Sequence, residues 1–350
     1  MPALRLVVPA RGAGPSGGDV YDAQLSRAWA AEHGPVEVRA LPRPWPRPGS
    51  AGREALRAAL GTSGTVVVDG LVGSACPEEV AGAVAAGARV VLLVHLPLPA
   101  EAGLPAAEAD RLAVLESRTV HAASAVVTTS RWAAADLARR YGRADVLVAE
   151  PGAERGPLAA GSRPPHLLAL GALTRVKNHT VLVAALDAVR DLPWEATFAG
   201  PAGAQPDVAA EVAQSLDAAG LAGRVALPGV VTGNELEALW QRTDLLLVPS
   251  LVETYGLVVT EALAHGVPAV VSAGTGAVEA LTGRPGPPPG GAPGTALPAT
   301  DAGAWARVLR RWLTDADHRA AWQAAARARR EELRTWADTA ADLRRGLGLG

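Results

Sequence analysis

The feature that most constrains this chain is a strict alternation of short apolar runs with alanine-rich helical stretches, repeated in two series. In the first series, strands are predicted at Leu4–Pro9, Val36–Ala40, Thr65–Val68, Arg89–His95, Ala125–Thr129 and Asp145–Val148. Helices are predicted at Asp19–Glu32, Arg53–Leu60, Pro77–Ala86, Ala106–Ala122 and Arg131–Tyr141. Strands alternating with helices imply parallel sheets covered on both faces. A second series follows the Gly/Pro-rich stretch "EPGAERGPLAAGSRPP". Its strands are predicted at His166–Leu170, Glu195–Ala199, Arg224–Leu227, Asp244–Val248 and Ala269–Ser272, and its helices at His179–Val189, Asp207–Ala219, Glu235–Arg242 and Gly256–His265. Thr282–Gly294 is so rich in proline and glycine that it reads as a surface loop, and helices are expected from Ala302 to Leu347. The economical α/β architecture is two Rossmann-like halves with a cleft between them. Ligands of such sheets bind outside the carboxyl ends of the strands.

Composition narrows the functional classes. A length of 350 residues fits about two domains. A formal net charge of -2 gives no electrostatic case for a nucleic-acid binder. No apolar run approaches the ~20 residues of a membrane span, and "MPALRLVVPARG" lacks the pattern of a signal peptide, so a cytoplasmic location is expected. Cys76 is the only cysteine, which excludes an intrachain disulfide and cysteine-rich metal sites. The chain has no isoleucine and one phenylalanine, and of its 33 basic residues only Lys177 is a lysine. That bias suggests a GC-rich coding sequence, and a lysine retained against it stands out.

Three loops at predicted strand ends carry chemistry. In "LLLVPSLVETYGLVVTEALAHGVPAVVS", Glu253 follows a strand and Glu261 lies in the next helix, both in apolar surroundings where an ionised carboxylate is costly unless paired. The amides of Thr254, Tyr255 and Gly256 open that helix, and free amides at a helix N-terminus bind anions. A dipole partner at Glu253 and a solvated Glu261 remain the competing reading. In "LLALGALTRVKNHTVLVAAL", Arg175 and Lys177 follow the strand ending at Leu170 and could neutralise a diphosphate; two solvated surface charges are the alternative. In "VVPARGAGPSGGDVYDAQLSRAWA", Gly14, Gly17 and Gly18 allow close backbone approach to a ligand. The spacing is not that of a dinucleotide fingerprint. His95 closes the strand "RVVLLVHLPLP", as a cleft residue or as a structural one. No Asp-x-Asp pair or His/Asp cluster is visible for a divalent metal, and no nucleophile elbow or P-loop is present.

Taken in order, these segments resemble the GT-B-fold retaining glycosyltransferases of family 4, also called glycosyl transferases group 1. The likeness covers nearly the whole length, from "SGGDVYDAQLSRAWA" through "LGALTRVKNH" and "VALPGVVTGNELEALWQRTDLLLVPSLVETYGLVVTEALAHGVPAVVSAGTGAVEAL" to "LRTWADTAADL". Its most specific piece is Glu253-x7-Glu261. The resemblance implies an N-terminal acceptor domain at 1–155, a nucleotide-sugar donor domain at 156–330, and a final helix at 331–350 packing back on the first domain. It implies catalytic roles for His95, Lys177 and Glu253. His95 would contact the transferring sugar, Lys177 the diphosphate, and Glu253 the donor-sugar hydroxyls. Glu261 would bind the ribose hydroxyls, and the amides of Thr254, Tyr255 and Gly256 the sugar and diphosphate. Gly17 and Gly18 would approach the diphosphate from the other domain, and the "PGVVTG" loop from Gly229 to Val231 would touch the base. Many members carry an arginine right after the glycine at Gly171, where this chain has Ala172; Arg175 is the candidate substitute.

The implied reaction is metal-independent transfer of a sugar, with retention, from a nucleotide diphosphate sugar to a hydroxyl acceptor. No cofactor is implied beyond that co-substrate. The acceptor, whether small molecule, glycan or lipid-linked, has no portable signature. Membrane contact through Arg131, Arg139 and Arg140 is a minor alternative, and no nucleic-acid partner is implied. A catalytically impaired nucleotide-sugar-binding protein and a nucleotide-sugar epimerase on the same fold are the competing functions.

Overall fold

A computed structural model describes residues 4–10, 16–42, 44–101, 103–202, 205–286 and 290–349. The chain divides into two units, one of Met1–Gly152 with Arg334–Gly350 and one of Ala153–Leu333.

Unit 1 begins with β1 (Leu4–Pro9), α1 (Gly17–His33), β2 (Val36–Leu41), α2 (Ser50–Leu60), β3 (Thr65–Asp69) and the short α3 (Gly70–Gly73). It continues with α4 (Pro77–Ala85), β4 (Arg89–Val94), α5 (Ala106–Ala122), β5 (Ala125–Thr128), α6 (Arg131–Tyr141) and β6 (Leu147–Val148). The six strands form one parallel sheet in the order β2-β1-β3-β4-β5-β6. Helices cover both faces, which is why the strands read as continuous apolar runs. Val66 and Val68 of β3 enter one core with Leu56, Leu92 and Leu137. Val67 enters the opposite core with Leu6, Leu25 and Leu343. Burying each such side chain is worth roughly 1.5–3 kcal/mol.

Unit 2 contains β7 (His166–Leu170), α7 (His179–Asp187), β8 (Glu195–Ala199), α8 (Pro206–Ala218), β9 (Val225–Gly229), α9 (Gly233–Arg242) and β10 (Leu245–Val248). Then come α10 (Leu257–Ala264), β11 (Ala269–Ser272), α11 (Ala277–Thr282), β12 (Gly294–Leu297), α12 (Ala302–Thr314) and α13 (Ala316–Glu331). Its parallel sheet has the order β12-β11-β10-β7-β8-β9. The two strand series start in opposite directions from the β7/β10 boundary. That boundary is the topological switch point, where the loops after two adjacent strands part and leave a crevice. Leu245 and Leu247 of β10 face one core and Leu246 and Val248 the other.

The Pro/Gly-rich stretch connects α11, which ends at Thr282, to β12, which starts at Gly294, with Pro287–Pro289 outside the described residues. The strand β12 itself is absent from the sequence expectation, since four residues beginning with glycine carry little pattern. Gly294 is nonetheless suited to its place, because a Cβ there would lie 1.7 Å from the Ala269 carbonyl oxygen of the neighbouring strand. The region from Ala302 to Leu347 divides into three helices. Asp315 caps α13, its side chain accepting from the His318 amide, and a break follows before α14 (Trp336–Gly346).

Thr335 and Asp338 form a reciprocal capping box at the start of α14. This helix completes unit 1: Ala340, Leu343 and Leu347 share a core with Tyr21 and Leu25. Thr339 Oγ1 donates to the Glu150 carbonyl at 2.7 Å and Tyr21 Oη to the Ala149 carbonyl at 2.8 Å. Gly152 lies directly on the Thr335–Trp336 backbone, where a Cβ would be 2.2 Å from the Trp336 nitrogen.

Candidate functional site

The switch point of unit 2 is built by two loops. After β7, the Gly171 amide donates to the Ala199 carbonyl and the Leu173 amide to the Pro201 carbonyl. Gly200 passes so close that a Cβ there would stand 2.0 Å from the Gly171 carbonyl oxygen. A turn of 3₁₀ helix at Arg175–Lys177 leads to Asn178, whose φ of 51° is left-handed. Asparagine tolerates that conformation when its amide finds partners. Here Nδ2 donates to the carbonyls of Pro249 at 3.2 Å and Ala299 at 2.8 Å. The Leu251 amide donates to the Val176 carbonyl at 2.7 Å. The β7 and β10 loops are thus tied together on both sides of Lys177.

That clamp places Lys177 Nζ 2.6 Å from Glu253 Oε2, and Ser250 Oγ donates to the same oxygen at 3.1 Å. The Glu253 carboxylate, 13% exposed, therefore has a cation and a hydroxyl as partners. Behind it, the Gly276 amide donates to the Glu253 carbonyl at 2.6 Å, and a Cβ on Gly276 would lie 2.0 Å from the Thr254 carbonyl oxygen. Gly256, with φ 90°, caps α10 and turns the chain from the loop into the helix. Tyr255 is buried and Thr254 half-buried beside it. A small pocket opens here, lined among others by Gly171, Lys177, His179 and Ser250. His179 is buried, its Nδ1 has no hydrogen-bond partner, and burial with the Lys177 charge pushes the imidazole down to about 4.

Glu261 is half-buried on α10, and its carboxylate makes no hydrogen bond or ion pair among the described residues. Desolvation raises it above the ordinary glutamate range, partly offset by His265. That histidine is fixed by Nδ1 on the Glu261 carbonyl at 2.7 Å and stacks on Trp240. Gly229 closes β9 with φ 78° and its carbonyl accepts from the Gly200 amide; Val231 packs against the core beside α10. Arg175 turns elsewhere: its guanidinium is 3.0 Å from Asp207 and 3.7 Å from Glu211 on α8, and it is half exposed.

In unit 1, Ser16 caps α1 in a capping box with Asp19, so Gly17 and Gly18 open that helix; Gly14 lies outside the described residues. A Cβ on Gly18 would lie 3.1 Å from Cδ2 of His95, just beyond β4. The absence of a His/Asp cluster in the sequence does not carry over to the fold. His95 Nε2 lies 3.0 Å from Asp22 Oδ1 of α1 and 3.5 Å from Asp69 Oδ2 at the end of β3. Both aspartates are buried, and Asp69 also accepts from the Leu71 amide. Burial alone would depress His95; the charge and hydrogen bond of Asp22, then Asp69 and Asp19, outweigh it and lift the imidazole to about 9. Burial, reinforced by Asp22 and opposed by His95, raises Asp69.

The fold thus joins Lys177, Glu253, Thr254, Tyr255 and Gly256 around one switch point and joins Gly18 with His95. Asp22, Asp69, Ser250, Asn178 and His179 escaped the sequence reading. Asp69 alone left a signal, an acidic residue closing the run "TVVVD" at a strand's carboxyl end. The arginines of α6 are paired: Arg139 and Arg140 with Asp136, and Arg131 with Glu150. No helix among the described residues is long and apolar enough to cross a membrane.

The sequence family described as "Glycosyl transferases group 1" matches residues 152–329, and the chain belongs to it. A D-inositol 3-phosphate glycosyltransferase of Kineococcus radiotolerans is 32% identical over 252 residues, covering 64% of this chain and 57% of the relative. One from Salinispora arenicola is 31% identical over 233 residues, covering 59% and 50%. The chain spans about half the length of the curated relatives it matches. Among solved structures, sucrose-phosphate synthase of Thermosynechococcus elongatus superposes with a TM-score of 0.76 at 20% identity, over 99% of both chains. Anabaena HepE in complex with UDP-glucose gives 0.76 at 17% identity over 99% of this chain and 100% of that one. The fold is GT-B.

Proposed function

We propose that the chain transfers a sugar from a nucleoside diphosphate sugar to a hydroxyl acceptor, with retention and without an obligatory metal or other cofactor. The observation that carries this reading is the Lys177–Glu253 pair at the β7/β10 switch point, beside the N-terminus of α10. A leaving diphosphate develops negative charge, and Lys177 with the amides that open α10 are groups able to stabilise it. Glu253, released from part of its pairing, can accept hydrogen bonds from sugar hydroxyls. Glu261, whose carboxylate has no hydrogen bond or ion pair among the described residues, is suited to a ribose diol. Family membership and the relatives' names support the reaction class, and the UDP-glucose of the HepE complex supports the donor class.

The test combines thermal shift with UDP, GDP and their sugars, because ligands that bind the folded state raise its stability, with an assay of nucleotide release from UDP-glucose. The reading expects a shift from a nucleoside diphosphate and slow donor turnover lost in Lys177→Ala. No shift with any nucleotide, or turnover indifferent to Lys177, would sink it. One observation favours a second reading, a nucleotide-sugar-binding protein with impaired catalysis. Ala172 offers no cation, and Arg175 is engaged by Asp207 and Glu211. Tight donor binding by calorimetry without hydrolysis or transfer would favour it.

A further inference from the structure

Each sheet has two edges, β2 and β6 in unit 1 and β12 and β9 in unit 2. An exposed edge strand invites pairing with another chain, and folds guard such edges with short strands, prolines, bulges or a covering element. Among the described residues, three of the four edges are guarded in this way. β6 has two residues and lies against α14, where a Cβ on Gly346 would meet Leu147 at 3.0 Å. β9 carries Pro228, and its register with β8 shifts between Thr197 and Ala199. β12 has four residues, all buried or half-buried. β2 differs. Its six residues keep an unbroken register with β1, and Val38, Arg39 and Ala40 are exposed, Val38 by 49%.

The outer side of β2 has a defined direction and a defined charge pattern. The Leu41 carbonyl accepts from the Ala10 amide at 2.8 Å, so Leu41 turns its main chain toward β1. Main-chain groups alternate in direction along a paired strand. Glu37 and Arg39 therefore also bond toward β1, while Val36, Val38 and Ala40 turn N–H and C=O outward. Among the described residues, no hydrogen bond is made to those outward groups. Pro35 and Pro42 close the segment at either end.

A two-fold antiparallel pairing of β2 with a second copy must set one residue opposite itself. Centred on Glu37 or Arg39, it opposes like charges, and centred on Val36 or Ala40 it runs past an end of the strand. Centred on Val38, it sets Glu37 opposite Arg39 of the second copy, twice over, and Val36 opposite Ala40. The outward main-chain groups then face each other in hydrogen-bonded pairs. The Glu37/Arg39 pairs fall at the closer positions between them, with Cα atoms about 4.5 Å apart. Opposite charges directly across a ladder stabilise it, and like charges oppose it. Arg5 lies 3.2 Å from Glu37, so each Glu37 would stand between Arg5 of its own chain and Arg39 of the other. The contact of Glu37 with Arg39 of its own strand is exposed, worth little, and readily exchanged.

We propose that β2 is a self-pairing edge, through which two copies of this chain associate antiparallel about Val38 and join their unit 1 sheets into one. Five paired residues a side bury less than the ~1,200 Å² of a lasting complex, so the dimer forms as concentration rises. The pairing makes no use of the β7/β10 switch point and stands or falls apart from sugar transfer.

Sedimentation velocity of the full chain, from low micromolar to several hundred micromolar, should show the wild type passing from monomer to dimer. Val38→Pro removes an outward N–H and no bond to β1, and should weaken association about tenfold or more. Glu37→Arg sets arginine against arginine and Arg39→Glu sets glutamate against glutamate, so each variant alone should stay monomeric. Mixed in equal amounts, the two should form a heterodimer about as readily as the wild type. Amide exchange of the wild type needs no variant: it should slow at Val36, Val38 and Ala40 as concentration rises, and stay unchanged at Leu227 of the guarded edge β9. A wild type that remains monomeric throughout, or whose β2 amides ignore concentration, overturns the proposal. So does a dimer that survives Val38→Pro and both charge reversals, because it pairs through another face. A mixture of folded variants that stays monomeric overturns it as well.

Discussion

Lys177 Nζ donates to Glu253 Oε2 at 2.6 Å, joining two residues 76 positions apart in the sequence. Each charge therefore answers the other, and under the proposed function a donor diphosphate would compete with Glu253 for the ammonium. Lys177→Ala should lower donor turnover by about 2.7–4 kcal/mol of barrier, the usual effect of removing one such donor. Ser250 still holds the Glu253 carboxylate, so the melting curve should show a folded protein. Steady-state kinetics beside a thermal melt check both parts, and near-wild-type turnover would count against the assignment.

The two glutamates should separate by readout. Glu261→Ala is expected to weaken binding of the nucleotide itself, whereas Glu253→Ala should leave nucleoside diphosphate affinity largely intact and reduce sugar transfer. Burial raises the Glu261 carboxyl above its ordinary value of 4.5. Nucleotide affinity that depends on its ionised form should therefore begin to fall at a higher pH than for an exposed glutamate. Calorimetric titration of UDP and UDP-glucose across mildly acid pH tests this. Equal losses in both variants would refute the division of roles.

Gly276 has an ordinary helical φ of -63°, so Gly276→Ala adds no backbone strain and tests sterics alone. Its Cβ would meet the Thr254 carbonyl oxygen at 2.0 Å, forcing the Glu253–Tyr255 segment to move. A stability loss of roughly 1–3 kcal/mol is expected for such overpacking, with weaker donor binding. Gly223→Ala, where nothing lies within 4 Å of the added carbon, serves as control. Urea titrations and donor binding for the pair decide it.

His166 and His179 are buried in unit 2 and both are held at about 4, first by burial, then by Arg242 and Lys177 respectively. In the unfolded chain both titrate near 6.5, so between those values the unfolded state binds more protons. Their contribution to stability is present in full above about pH 6.5 and is lost as pH falls toward 4, by at most on the order of 3 kcal/mol each. Urea midpoints at pH 7 and pH 4.5 should differ, and the difference should shrink in His179→Asn. A variant with the full wild-type pH slope would exclude His179 as a contributor.

The layers of the fold were legible because parallel strands covered on both faces must be apolar throughout, as in "TVVVD" and "LLLV". β12 was hidden because an edge strand of four residues that opens with glycine and follows prolines carries no periodic signal. Lys177 and the spacing of Glu253 and Glu261 stood out, but not the ion pair. That depends on β7 and β10 being neighbours, which only the sheet order decides. The same holds for Asp22 and Asp69, brought to His95 by helix α1 and the β3–β4 adjacency. Arg175 shows the opposite limit: its place in the basic loop was readable, and its partners on α8 were not.

The position of α14 has a consequence for how the protein is made. Gly152 rests on the Thr335–Trp336 backbone, and the whole of unit 2 is threaded between them. A ribosome releases Ala153–Leu333 before it releases the helix that fills the core beside Tyr21 and Leu25. Domains usually complete in order of synthesis. Here the order is inverted: the unit that starts first must wait, with an apolar face uncovered, for the one inserted within it.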